Sequence, residues 1–153
     1  MERLKCEIHA VQESEHSLLV LLAEETLRPL AEGAGHPELY QVTDLLSLLA
    51  RAEVFAACAE GELVGFVAVE AEGIALAVRC VGVHPAFEDR GVADQLLDWA
   101  EGVAIDHRLE RMTALVPVGD APSLHLYHGH GFVTLATTQG DAELQLEKRL
   151  PAL

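Results

Sequence analysis

Large rings are scarce in this sequence. One Trp, two Tyr and four Phe stand among 153 residues, although half of the residues are apolar. The core therefore has to be built from Ala, Leu and Val, in aliphatic layers rather than around stacked rings. Basic residues are scarce as well: 10 Lys and Arg face 25 Asp and Glu, a formal charge of -15. A surface of that sign repels phosphate backbones and anionic headgroups, which argues against a nucleic-acid or membrane partner. It keeps the chain soluble, and it can also steer a cationic amine inward.

Cysteine is nearly absent. Cys6, Cys58 and Cys80 are odd in number and form no C-x-x-C pair, which argues against a disulfide framework or a zinc site and fits a reducing cytoplasm. No apolar run is long enough to span a bilayer. The opening MERLKCEIHAVQESE is too charged for a secretory signal. No linker, repeat or composition break interrupts residues 1–153, so a single domain is expected.

What is present is a succession of short periodic segments. Leu4 to Ala10 alternates and predicts a strand. Ser17 to about Leu30 has helical spacing and stops near Pro29; Ala31 to Pro37 reads as a loop, and Tyr40 to Arg51 as a second helix. Val54–Ala59, Leu63–Glu70 and Ile74–Val83 are apolar runs parted by Glu60-Gly61 and Glu72-Gly73, the pattern of an antiparallel meander covered on both faces. Val92, Leu96, Trp99, Val103 and Ala104 then repeat at three- and four-residue spacing, with Asp94, Asp98 and Glu101 opposite. Met112–Pro117 predicts a strand, Pro122–His128 a short helix, Phe132–Thr138 a strand, and Asp141–Lys148 a last strand with one wet face, near an edge of the sheet. The order β-α-α-β-β-β-α-β-α-β-β implies an α/β fold, a mixed sheet in which an antiparallel meander leads into one parallel βαβ crossover.

The chemistry is concentrated in Val81-Gly82-Val83-His84-Pro85-Ala86-Phe87-Glu88-Asp89-Arg90-Gly91-Val92-Ala93. A buried strand ends, a loop follows, and Gly91 opens a helix. Helix starts leave N–H groups unpaired at the positive end of the dipole, and small residues let an anion approach them. Taken alone the spacing also fits an ordinary strand–loop–helix turn. With its surroundings, however, it resembles the GCN5-related N-acetyltransferase (GNAT) superfamily. That family shows V-x-P, an aromatic, then Q/R-x-x-G-x-G/A and paired leucines; here stand Val83-His84-Pro85, Phe87, Glu88 to Ala93, and Leu96-Leu97. A second block, from Asp120-Ala121-Pro122-Ser123 through Leu126-Tyr127 to Gly131-Phe132, is similar to the family's N-x-x-A-x-x-L-Y-x-K-x-G-F. The two blocks span about a third of the chain.

The resemblance implies a sheet that splays open beside Val83, with the pantetheine arm of acetyl-coenzyme A lying along Val81, Gly82 and Val83. It implies a pyrophosphate held by the N–H groups of Glu88, Asp89, Arg90, Gly91, Val92 and Ala93, with Asp120 and Ser123 of the second block nearby. An amine attacks the thioester, and Tyr127 is the general acid that protonates the leaving thiolate. The acceptor is a small-molecule or peptide amine, bound around Leu27 to Tyr40 and the hairpin after Phe132, and a homodimer is in keeping with related proteins. Tyr127 also reads as an amphipathic core residue beside Phe132.

This chain departs from the pattern at several positions. Glu88 and Asp89 replace Gln or Arg and Gly, placing two carboxylates where a pyrophosphate is expected; Arg90 is the one cation of the loop. The strand position that carries a glutamate base in several members is Ala77 here, with Glu70, Glu72 and His84 as nearby substitutes. Gly129 stands where the second block has Lys. These departures motivate a rival reading, a non-catalytic binding or regulatory module on the same fold. Three further groupings carry less. His125, His128 and His130 lack acidic or cysteine partners at metal-binding spacing, Cys80 reads as core rather than as a nucleophile with His84, and Asp44 after Thr43 reads as helix-start chemistry.

Overall fold

A computed structural model describes residues 3–33, 35, 42–138 and 140–151. Seven strands form one sheet in the order β1-β2-β3-β4-β5-β7-β6. In chain order they are β1 (Glu7–Ala10), β2 (Glu53–Ala59), β3 (Glu62–Glu72), β4 (Ala75–Val83), β5 (Arg111–Pro117), β6 (Val133–Thr137) and β7 (Glu143–Arg149), with helices α1 (His16–Gly33), α2 (Val42–Arg51), α3 (Val92–Asp106) and α4 (Ala121–Gly129). β4 and β5 pair in parallel, and every other neighbouring pair is antiparallel. The expected mixed sheet with a meander and one crossover is present. Among the described residues no helix is long and apolar enough to cross a membrane.

Two cores lie on the two faces. On one, α3 contributes Val92, Leu96, Leu97, Ala100 and Ala104, a stripe at helical spacing. They pack with Leu76 and Val78 of β4, Met112, Ala114 and Val116 of β5, and Tyr127 of α4. On the other, Leu19, Leu22 and Ala23 of α1 and Leu48 and Leu49 of α2 pack on Val54, Phe66 and Ala68. Both cores are aliphatic in the main, as the scarcity of rings requires.

The element that shapes the site is a bulge. Val69 pairs with Val78 and Ala68 with Cys80, so Arg79 is an extra residue in β4. It shifts the strand's parity: Leu76 and Val78 face the α3 side before it, Val81 and Val83 after it, while Cys80 turns to the α1 side. Arg79 is tied down by Glu70, whose Oε1 lies 2.9 Å from Nε, and by Glu72. Parallel pairing between β4 and β5 runs only from Ala75↔Arg111 to Val78↔Ala114, ending at the bulge. Beyond it β4 stays with β3 as far as Val83↔Gly65, and β5 with β7 as far as Pro117↔Glu143. The sheet therefore opens at its centre.

Three expectations are corrected. β1 begins at Glu7 rather than Leu4, because the main chain of Leu4 and Cys6 bonds to Arg90 and to the Gln95 side chain instead of to β2. α1 continues through Pro29, which is exposed, so residues 31–33 are helical and not loop; the rest of the predicted loop, apart from Gly35, and Tyr40 lie outside the described residues. The last strand, β7, lies near an edge as expected, with β6 outside it as the edge strand and β5 on its inner side. Trp99 stands at the rim, 40% exposed and tilted against Phe55, rather than in the α3 stripe.

Candidate active site

The opening between β4 and β5 leads into a cavity of about 680 Å³. One wall is the departing edge of β4, with Val81 and Val83; above it run the loop and the first turn of α3, with Glu88, Asp89, Gly91, Val92 and Ala93; α4 closes the far side with Ser123. Thus eight of the residues singled out in the sequence meet around one space. Gly82, Arg90, Asp120 and Tyr127 are not on its wall.

Each of those four has a distinct placement. Gly82 faces α1: a Cβ there would stand 2.6 Å from the Phe66 ring and 2.8 Å from Thr26 Oγ1, so only glycine lets α1 pack this close to β4. The Arg90 carbonyl accepts from the Leu4 amide at 2.8 Å. Asp120 is 5% exposed and caps α4, its Oδ1 accepting from the Ser123 amide at 3.1 Å. Tyr127 is also 5% exposed, edge-on to Phe132 with centroids 5.1 Å apart. Burial, then the proximity of Cys80 and Asp120, pushes its phenol well above the ordinary value, so it keeps its proton at neutral pH.

Two features of the wall suit an extended anionic ligand. An unpaired strand edge presents main-chain N–H and C=O groups that take a strand-like partner. α3 opens on Gly91 in the left-handed region, φ 80°, without a side-chain cap, so its first-turn N–H groups have no partner from a capping side chain. Side-chain charge works the other way, since Glu88, Asp89 and Asp94 all line the cavity and His125 is its one side chain able to become cationic.

Thr26, Phe87, Asp94, Pro122, His125, Leu126 and Gly129 complete the wall. Phe87, Pro122, His125, Leu126 and Gly129 fall inside the two motif blocks, whereas Thr26 comes from α1, whose sequence carries no site signal. The candidate bases are otherwise engaged. Glu70 pairs across the strands with Ala77 and is bound by Arg79 and, at 3.3 Å, by Arg51. The Arg79 hydrogen bond above all holds its carboxyl below the usual range. His84 Nδ1 accepts from the Ala86 amide at 3.1 Å, leaving Nε2 to meet Glu25 at 3.3 Å. Cys80 packs against the α1-side core, and burial pushes its thiol up to about 12. Of the other histidines, His128 meets Thr134 at 3.0 Å, and His130 links Asp94 at 2.7 Å with Asp98 at 3.5 Å, joining the end of α4 to α3.

A mixed sheet opened at its parallel pair, with a helix start over the gap, defines the acetyltransferase class of α/β fold. The family model described as Acetyltransferase (GNAT) family matches residues 18–132, and the chain belongs to that family. No curated protein sequence matches the chain. Among solved structures it is similar to PaiA N-acetyltransferase from Thermoplasma acidophilum in complex with coenzyme A, with a TM-score of 0.83 and 17% identity over 96% of this chain and 100% of that one. It is also similar to ribosomal-protein-alanine N-acetyltransferase from Brucella melitensis, with a TM-score of 0.75 and 18% identity over 94% and 99%. A GNAT family acetyltransferase from Elizabethkingia anophelis with acetyl-CoA bound gives 0.72 and 15% over 95% and 98%. At these identities the likeness is one of fold.

Proposed function

We propose that this protein is an N-acetyltransferase that takes the acetyl group of acetyl-coenzyme A to a primary amine. The observation that carries this reading is the gap itself. An internal strand edge, an uncapped helix start and a cavity of about 680 Å³ converge where the parallel pairing stops. The open edge at Val81 to Val83 suits the amides of the pantetheine arm, and the first-turn N–H groups around Gly91 suit the pyrophosphate. Two of the structural neighbours are described with coenzyme A or acetyl-CoA bound. The thioester supplies an acetyl group activated toward amines. Tyr127, which keeps its proton at neutral pH and lies buried behind the cavity wall rather than on it, is the donor this reading assigns to the leaving thiolate.

Ala77, where several relatives of this fold family carry a base, pairs with Thr113 of β5 near the end of the parallel pairing. Ala77 brings no base, and Glu70 beside it is a weak one because two arginines hold it ionised. The ammonium proton therefore leaves to water. The charge of -15 favours a cationic acceptor, and the free thiols of Cys6, Cys58 and Cys80 suit a reducing cytoplasm.

Glu88, Asp89 and Asp94 on the cavity wall favour the rival, a non-catalytic module with a disabled loop. Calorimetric titration with acetyl-coenzyme A decides between them. Micromolar binding that Gly91→Glu abolishes supports the enzyme and licenses a screen of amines. No heat at millimolar cofactor leaves the rival standing.

A further inference from the structure

Gln95 lies in the first turns of α3, off the cavity wall, and its side-chain amide is fully engaged. Nε2 donates to the Gly91 carbonyl at 3.0 Å and to the Leu4 carbonyl at 2.5 Å, while Oε1 accepts from the Cys6 amide at 3.1 Å. It offers residues 4 to 6 the donor and acceptor that a neighbouring strand would offer. The same segment also grips the loop directly. The Leu4 amide donates to the Arg90 carbonyl at 2.8 Å, and the Arg3 side chain lies against Gly91, its Cγ 3.0 Å from where a Cβ would stand. Leu4 itself is 6% exposed in the α3-side core, which anchors the segment.

The loop held in this way is under strain. Asp89 has φ 61°, whereas Gly91, at φ 80°, takes the left-handed region freely. A non-glycine residue in the left-handed region stays there only where its surroundings over-determine it. With no side chain capping α3, the bonds from Leu4 and Gln95 help to fix the loop's exit into the helix.

We propose that Gln95 is a positioning residue for the cofactor loop. By tying residues 4 to 6 to Gly91 it holds Asp89 to Ala93 in the shape in which their N–H groups converge, and so sets the affinity for the coenzyme A pyrophosphate without touching it. This rests on the acetyl-coenzyme A reading above.

The test compares Gln95→Leu, which removes all three bonds, with Gln95→Glu, which keeps the acceptor for Cys6 and loses both donations. Acetyl-coenzyme A affinity is measured by calorimetry, and amide hydrogen exchange is followed in the free protein. The expected result is affinity weaker by about tenfold in the leucine variant, the size of one to two net hydrogen bonds, with the glutamate variant between. Exchange at residues 89 to 93 accelerates, while the amides of β2 and β3 do not change. Variants that bind within twofold of the parent, or exchange that accelerates evenly across the sheet, overturn the proposal. A parent protein that binds no acetyl-coenzyme A overturns the functional reading instead, and exchange at residues 89 to 93 still decides whether Gln95 holds the loop.

Discussion

Helices α3 and α1 pack on opposite faces of the same sheet, and they cover it differently. α3 contacts β2, β3, β4 and β5, so it bridges the parallel pair, and its small residues Ala100 and Ala104 bring it close to the strands. α1 reaches β4, and α2 reaches β3. Past β4 the α1-side face is open among the described residues, where Leu115 is 44% and Val133 58% exposed. The cavity is bounded by a strand edge and a helix start, whose main-chain groups tolerate changes of side chain. The open face has only side chains with which to recognise anything. That asymmetry suits a protein with an invariant cofactor and an acceptor particular to itself.

The largest effect expected from the contrast is on stability. Leu96 is wholly buried under α3, whereas Leu18 on the outer side of α1 is 56% exposed. Leu96→Ala should lose about 2–5 kcal/mol by deleted contacts and a residual cavity. Leu18→Ala should change stability by less than about 0.5 kcal/mol. Urea denaturation of both variants measures the difference, and equal losses would break the contrast. Gly82 tests a place where α1 packs tightly on β4. Gly82→Ala should lose about 1–3 kcal/mol, since its Cβ meets the Phe66 ring and the Thr26 hydroxyl. Adding Phe66→Leu should recover part of that loss, so the double variant's midpoint sharpens the assignment.

The same contrast governs how much was legible in the sequence. The meander, the crossover and the motif loop were readable because each has a local sign: Glu-Gly turns, a change from strand to helix period, and glycine at a helix start. The bulge had no such sign beyond a single charge, Arg79, in the apolar run Ala77-Val78-Arg79-Cys80-Val81. Its consequence, the reversal of parity and the parting of β4 from β5, is a matter of register between strands. The exact place of β7 between β5 and β6 was likewise invisible, since clean alternation with one wet face gave only a strand near an edge. β1 was overestimated because alternation at Leu4 and Cys6 looks the same whether the partner is a strand or the amide of Gln95. At the site, Glu88 to Ala93 and Ser123 could be found by motif. Thr26 could not, because it reaches the cavity through the packing of α1 against Gly82.

The smallest effect is a matter of sign, and it bears on the cavity itself. A phosphate site lined with Lys and Arg loses affinity as salt rises, because the attraction is screened. Here the side chains around the cavity include Glu88, Asp89 and Asp94, on a chain of charge -15. On the proposed reading the attraction comes from helix-start N–H groups in direct contact with the pyrophosphate, over distances too short for ions to enter, whereas the repulsion is summed over many carboxylates at longer range. Screening therefore weakens the repulsion more than the attraction. Acetyl-coenzyme A affinity should rise by about two- to fivefold between 10 mM and 150 mM salt, as the Debye length falls from about 30 Å to about 8 Å. Calorimetric titrations at the two ionic strengths measure it. A fall of similar size would show that Arg3 or Arg90 dominates the field at the loop, and that the covered face recognises its ligand by side-chain charge after all.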